Sequence, residues 1–144
     1  MKPTLKPGLT HRFFSHTVPV TKTVPYLCEE SPELAAMPEV FATGFMVGLM
    51  EWTCVQLRAP HLEAGEGSLG VHIDVSHKAA TPVGFTITVE AKCLEVSGPR
   101  ARFAAHDDMD EIGSGTHERF IVNWDRFNKS VAGKAAKADA EVDT

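Results

Sequence analysis

The chain has 144 residues, of which 43% are hydrophobic and 23% are charged, and its net charge is −5. This length suits one domain with a core of its own, and the composition excludes a disordered chain or a fibre. The 14 Lys and Arg residues are scattered among 19 Asp and Glu residues. We therefore expect no nucleic-acid partner, because such proteins usually carry a basic face or stripe.

The N-terminal part of the chain predicts a strand and then a proline-rich segment. Residues 1–9 hold two prolines and a glycine and predict a loose arm. Residues 11–18 are aromatic and β-branched and end before a proline, which predicts the first strand. Three prolines interrupt residues 25–38, so this stretch excludes a long helix and allows a single turn over residues 33–37.

Residues 44–58 predict a long helix. Two apolar series recur there at helical spacing, namely Phe45, Leu49 and Trp52, and Met46, Met50, Cys54 and Leu57. Together the two series cover most of the helix circumference, so we expect other structure to surround this helix. Thr43 is the expected N-cap, and Pro60 ends the helix.

The remainder of the chain predicts four strands and a tail. The strands cover residues 68–77, 85–96, 101–106 and 116–124. The second of them alternates, and we expect one face to carry Phe85, Ile87, Val89, Ala91 and Cys93. A turn is expected at residues 97–99 and an acidic, glycine-containing loop at residues 107–115. The segment 132–144 is rich in Ala, Lys, Asp and Glu and predicts a disordered tail.

This order of elements predicts an α+β fold in which one curled antiparallel sheet wraps around one long central helix, the hot-dog arrangement. We expect the domain to span residues 1–131, with residues 132–144 as its tail. A sheet this small leaves an exposed edge strand and an apolar rim, which a second copy normally covers. The prediction is therefore a homodimer.

The cysteines and the hydropathy pattern bear on location. Cys28, Cys54 and Cys93 are odd in number and widely spaced, which favours small core residues in a reducing compartment over a disulfide framework. The N-terminus lacks the apolar stretch of a signal peptide. The longest apolar run, residues 44–50, is far shorter than the roughly 20 residues that cross a bilayer. We expect a cytoplasmic protein without a membrane partner.

Two sequence patterns suggest binding sites that the predicted elements do not support. Residues 65–70 match the dinucleotide-binding pattern G-x-G-x-x-G, but a helix precedes them and a strand follows, the reverse of what that site requires. A flexible turn remains, in which Gly70 could let a ligand approach the backbone closely. His72 and His77 are five residues apart on a strand and point to opposite faces, so we expect no metal site.

Glu51 is an anomaly in the predicted helix. It is the only charged residue in an apolar segment that runs from Phe45 to Trp52. A carboxylate there lies either at an opening in the packing or buried with a raised pKa. Because a buried acid costs several kcal/mol unless it is paired, such a residue is often functional. A solvated helix face remains the alternative.

Thr43 and His77 are two further candidates, each with a structural alternative. Thr43 either caps the helix or offers its hydroxyl, with the free N–H groups of the helix end, as a cluster of donors. His77 ends a strand before a short loop, where a lone histidine is often only structural.

Four blocks of the sequence resemble the fluoroacetyl-CoA thioesterases of the hot-dog superfamily. They are residues 38–52, 65–70, 77–82 and 110–119, within a similarity that runs from about residue 21 to residue 128. The resemblance implies a catalytic Thr, Glu and His at Thr43, Glu51 and His77. It also implies substrate contacts at Gly70, His77 and Arg119.

The same resemblance places Leu34 and Met37 over the acyl pocket. The fluoroacetyl-specific enzymes are aromatic at these positions, and Leu and Met would shape the pocket differently. We therefore expect an acyl-CoA thioesterase that acts on short-chain acyl-CoA, with fluoroacetyl-CoA among the candidate substrates and with no cofactor. The alternatives are a non-catalytic acyl-CoA-binding hot-dog module and a hydratase, although the Gly-Asp-x-Asn-Pro-x-His block of the latter is absent.

The implied chemistry leaves two points open. Glu51 could attack the thioester carbonyl or act as a base on water, while His77 activates water or protonates the thiolate. Thr43 and Glu51 are eight residues apart, which is about 12 Å along a helix. Either Thr43 bends back before the helix, or the site combines groups from two subunits.

Overall fold

The structure is a computed structural model that describes residues 1–96 and 100–142, apart from the side chains of residues 14, 15 and 100. The turn predicted at residues 97–99 lies outside the described residues.

Within the described residues, five strands form one antiparallel sheet. They are β1 (Thr10–Thr17), β2 (Glu66–His77), β3 (Thr86–Glu95), β4 (Arg100–His106) and β5 (Glu111–Asn123), in the spatial order β1-β3-β4-β5-β2. The predicted order of one strand, a helix and four antiparallel strands is confirmed. β1 and β2 lie at the two edges of the sheet.

The acidic loop is shorter than predicted, because β5 begins at Glu111 and leaves only residues 107–110 between the strands. Gly113 and Gly115 look like loop residues in the sequence, yet both pair with β2. A Cβ on either glycine would collide with the backbone oxygen of a β2 residue, Ser76 or Asp74. These glycines therefore allow close strand approach rather than a turn.

In the part of the chain that the structure describes, three α-helices connect and flank the strands, namely α1 (Pro32–Ala35), α2 (Thr43–Arg58) and α3 (Trp124–Val142). The single turn predicted near residues 33–37 is α1, and the predicted long helix is α2. The expected N-cap is wrong, because Ala42 occupies the cap position and Thr43 is the first helical residue. The hydroxyl of Thr43 is bonded elsewhere, as described below. Pro60 lies in a short 3-10 turn directly after α2.

The core lies between α2 and the inner face of the sheet. Its helix side is formed by Met46, Met50, Cys54 and Leu57, and its sheet side by Ile87, Val89, Ala91, Cys93 and Phe103. The alternation predicted for β3 is thereby confirmed. The helix is not surrounded on all sides, however, since Trp52 remains 49% exposed and Val55 is also exposed. Of the apolar residues of α2, Trp52 and Val55 are thus uncovered in a single chain, whereas Leu49 is buried.

Both termini are more ordered than the sequence indicates. The N-terminal arm is anchored because Leu5 is buried in the core and Lys2 donates its backbone N–H to the carbonyl oxygen of His61. The predicted disordered tail is helical up to Val142, since its alanines and lysines have high helix propensity. None of the helices within residues 1–96 and 100–142 is long and apolar enough to cross a membrane.

Candidate active site

Glu51 lies at an opening in the packing of α2 against the sheet. Its side chain is 45% exposed, so the buried alternative is wrong. The Glu51 Oε1 atom lies 3.5 Å from Nη1 of Arg119 and 3.8 Å from Nε2 of His117. The carboxylate is thus reachable from solvent on one side and faces a guanidinium on the other.

Gly70 provides the space that the Glu51 carboxylate occupies. A Cβ on Gly70 would stand 2.7 Å from Glu51 Oε1, 3.0 Å from His117 Cε1 and 3.3 Å from Arg119 Nη1. From the sequence we expect a ligand to approach the backbone at Gly70. In the structure it is the Glu51 carboxylate that lies against Gly70.

Arg119 lies on β5 directly opposite Gly70 in the strand register. Its Nε donates to Ser68 Oγ at 2.9 Å, and its Nη2 donates to the carbonyl oxygen of Ser68 at 2.8 Å. Burial lowers the pKa of Arg119 and the charge of Glu51 opposes that effect, but a guanidinium stays protonated in proteins. The Glu51 carboxylate therefore has a fixed positive partner.

Thr43 and His77 form a hydrogen-bonded pair at the other end of α2. The Thr43 hydroxyl and His77 Nδ1 are 2.7 Å apart. Burial lowers the pKa of His77, an effect that the backbone of Ala79 opposes. Its ring is therefore neutral near pH 7 and able to accept a proton. The Nε2 atom is buried and has no hydrogen-bond partner within the described part of the chain.

A cavity of about 280 Å³ adjoins this pair. Thr43 and His77 lie in its wall together with Val24, Val40, Phe41 and Ala79. Short α1 packs against the turn at residues 24–26, whose Val24 lines the cavity. Leu34 is a half-buried residue of α1, and Met37 is exposed two residues beyond its end. The helix of Leu34 thus lies next to a segment of the cavity wall, but within the described residues neither Leu34 nor Met37 lines the cavity itself.

The loop after His77 is held from two sides. Phe41 donates its backbone N–H to Thr81 at 2.8 Å, which ties the loop to the entry of α2. The Thr81 hydroxyl donates to Asp107 Oδ2 at 2.8 Å, and Asp107 also accepts the backbone N–H of Met109 at 2.8 Å. The acidic loop is thus a turn that Asp107 organises, and it keeps His77 next to Thr43.

Within one protomer the structure does not bring all three predicted catalytic residues together. Thr43 begins α2 and Glu51 follows eight residues later in the same helix, a separation of about 12 Å. The alternative in which Thr43 bends back before the helix is therefore wrong. Glu51 and the Thr43–His77 pair form two half-sites.

His117 and Ser68 belong to the Glu51 half-site and were not among the predicted site residues. The alternation of β5 already places His117 and Arg119 on one face of the strand. That alternation could have indicated that His117 accompanies Arg119 in the site. It does not indicate which residues of other elements lie next to these two side chains.

Comparison with known proteins adds four findings. Residues 26–125 match the family model of the fluoroacetyl-CoA-specific thioesterases. The chain is 58% identical over 127 residues to a fluoroacetyl-CoA thioesterase of Streptantibioticus cattleyicolor, covering 87% of this chain and 89% of that protein. A mutant fluoroacetyl-CoA-specific thioesterase, solved with fluoroacetate and CoA, is 54% identical with a TM-score of 0.82, over 85% of this chain and 99% of that one. A thioesterase-superfamily protein of Thermus thermophilus is 26% identical with a TM-score of 0.87, over 97% of this chain and 99% of that one. These superpositions confirm the predicted fold.

Proposed function

Because the chain belongs to the family of fluoroacetyl-CoA-specific thioesterases and is a thioester hydrolase, we propose that it hydrolyses a short-chain acyl-CoA to the free acid and CoA. The observation that carries this proposal is the position of the Glu51 carboxylate, which is solvent-accessible, lies against Gly70 and faces the Arg119 guanidinium. A protein that only binds acyl-CoA has no need for such a group in an apolar helix.

Glu51 and His77 carry the chemistry in this proposal. The Glu51 carboxylate attacks the thioester carbonyl, the C–S bond breaks, and the CoA thiolate leaves and takes a proton. Water then cleaves the mixed anhydride, which releases the acid and restores Glu51. In the alternative route Glu51 removes a proton from water, which attacks the carbonyl directly. Neutral His77, oriented by Thr43 at 2.7 Å, activates water by taking its proton, and the imidazolium that forms can then protonate the thiolate.

Two copies of the chain complete the site in this proposal. The half-sites of one protomer are about 12 Å apart along α2, so Glu51 of one subunit works with Thr43 and His77 of the other. Exposed apolar residues on α2 and β5, Trp52, Val55 and Phe120, favour a homodimer, because a second copy normally covers such a surface. The three free cysteines favour a cytoplasmic location.

The size of the cavity favours a short acyl group. In one protomer the cavity measures about 280 Å³, just below the roughly 300–1,000 Å³ of ligand pockets. Leu34 and Met37 stand where the resembled enzymes have aromatic residues. Flexible aliphatic side chains in these positions give the acyl group a less defined surface. We expect weaker preference for fluoroacetyl over acetyl than a fluoroacetyl-specific enzyme requires.

Thiol release from a panel of acyl-CoAs tests the function. The panel runs from acetyl and fluoroacetyl to longer chains, and kcat/KM is measured for each. Hydrolysis that is fastest for the short acyl groups is expected. Tight binding of acyl-CoA without any thiol release would instead support the non-catalytic module. A strong preference for fluoroacetyl-CoA would show that residues other than Leu34 and Met37 set the selectivity.

A further inference from the structure

His117 is a buried histidine beside the Glu51 carboxylate. It is only 2% exposed, and its Nδ1 lies 2.8 Å from the carbonyl oxygen of His72. A carbonyl oxygen can only accept a hydrogen bond, so Nδ1 carries a proton and donates it. The orientation of the ring is thereby set by the backbone of β2.

The second nitrogen of His117 must then act as an acceptor. Arg119 Nη1 stands 3.1 Å from His117 Nε2, and a guanidinium has only donors. Two facing donors would repel, so His117 is neutral and Nε2 accepts from Nη1. Burial lowers the pKa of His117, in agreement with a neutral ring.

The guanidinium of Arg119 is consequently held at three nitrogens. Nε and Nη2 bind Ser68, and Nη1 binds His117. The distance from Nη1 to Glu51 Oε1 is 3.5 Å, longer than the about 2.7–2.9 Å of a charge-assisted hydrogen bond. The Glu51 carboxylate is therefore stabilised by the positive charge of Arg119, while its lone pairs stay available for reaction.

We propose that His117 is a positioning residue that sets this spacing, by holding Nη1 of Arg119 away from full hydrogen bonding with the Glu51 carboxylate. The proposal rests on the proposed function, in which Glu51 reacts. Nη1 carries two protons, one of which His117 accepts. Without an acceptor at the Nε2 position, that proton has the carboxylate as its nearest acceptor. The guanidinium then closes on Glu51 and occupies the lone pair that the reaction uses.

Two substitutions separate the two nitrogens of His117. His117→Gln keeps an acceptor near the Nε2 position, whereas His117→Asn keeps a donor near Nδ1 and is too short to reach Arg119. We expect kcat to fall about tenfold or more in His117→Asn, while KM stays within about twofold of the parent value. This pattern is expected because the interaction stabilises the transition state and not the bound substrate. His117→Gln should keep kcat within about threefold of the parent.

The Glu51→Gln background provides the control. Since the proposed effect acts through the carboxylate, adding His117→Asn to Glu51→Gln should cause no further loss of the residual rate. The melting temperatures of all variants show whether a loss of kcat is instead caused by destabilisation of the fold.

The proposal is overturned if His117→Asn keeps the parental kcat, if both substitutions lose kcat equally, or if the loss persists in the Glu51→Gln background. These results are distinct from a failure of the proposed function. In that case the parent releases no thiol from any acyl-CoA, or Glu51→Gln alone is as active as the parent.

Discussion

The Glu51 carboxylate lies directly over the α-carbon of Gly70, so that a Cβ at this position would stand 2.7 Å from Glu51 Oε1. The contact joins a helix residue to the edge strand β2, and it explains why a residue without a side chain occupies that point of the strand.

Gly70→Ala is therefore expected to disturb the site more than the fold. The methyl group meets the far end of the flexible Glu51 side chain, which can move aside at little cost in stability. We expect kcat to fall at least about tenfold, since misplacement by about 1 Å can cost 10²-fold. Gly133→Ala is the control, because nothing lies within 4 Å of a Cβ there. A Gly70→Ala enzyme with parental kcat would show that the position of Glu51 is not critical.

Glu51→Gln and His77→Ala test whether two subunits share one site. Each substitution alone should lower hydrolysis by at least roughly 10²-fold, the lower range for a general acid or base. When the two inactive variants are co-expressed or exchange subunits, hybrid dimers contain one site with both Glu51 and His77 intact. Random pairing then restores about a quarter of the parental activity if the interface is a two-fold dimer.

The outcome of the mixing experiment is decisive for the arrangement. If one subunit holds the complete site, every hybrid stays inactive and no activity returns. Light scattering of each variant gives the control, because both must show the mass of a dimer for the mixture to contain hybrids. A monomer mass for the parent chain would contradict the shared site directly.

Stability should decrease in mild acid. Burial lowers the pKa of three histidines, namely His16, His77 and His117. The unfolded chain therefore binds protons more readily than the folded chain. The contribution of these histidines to the stability of the fold is fully present above about pH 6.5, and it is lost as the pH falls through their lowered folded-state pKa values. The melting temperature should fall between pH 7.5 and pH 5.5. His117→Gln should weaken this dependence, and an unchanged slope would show that His117 does not contribute to the acid sensitivity.

Arg58 is a buried charged residue whose guanidinium lacks a hydrogen-bond partner among the described residues. It is 1% exposed, and none of its three guanidinium nitrogens has a hydrogen bond within the described residues. An unpaired buried charge costs several kcal/mol, so Arg58→Met should raise the melting temperature by at least about 3 °C. The exposed Arg126 on α3 provides the control, since Arg126→Met should leave the melting temperature nearly unchanged. A lower melting temperature for Arg58→Met would show that the guanidinium stabilises the fold.

The periodic parts of this protein could be predicted from the sequence alone. The alternation of β3 and the apolar series of α2 are local patterns with periods of two and 3.6 residues. They identified the inner face of β3 and the extent of the helix. The order of elements then left the curled sheet around one helix as the arrangement that buries those faces. Glu51 was recognisable because one charge interrupts an apolar helix.

Features that depend on distant partners were not predictable in this way. The N-terminal arm contains prolines and a glycine, but Leu5 is held by a core that forms elsewhere in the chain. Gly113 and Gly115 have the composition of a loop and lie in a strand, because β2 needs them small. Thr43 has the sequence of a cap, yet its hydroxyl binds His77, 34 residues away.

The tertiary structure alone decided how the Glu51 half-site is built. The register of β2 with β5 sets Gly70 opposite Arg119 and Ile73 opposite His117, and α2 then brings the Glu51 carboxylate over that pair of strands. A shift of the register by one residue would turn every side chain of β5 to the other face of the sheet. Which groups meet Glu51 is therefore a property of strand pairing, and strand pairing is set by the packing of the whole domain.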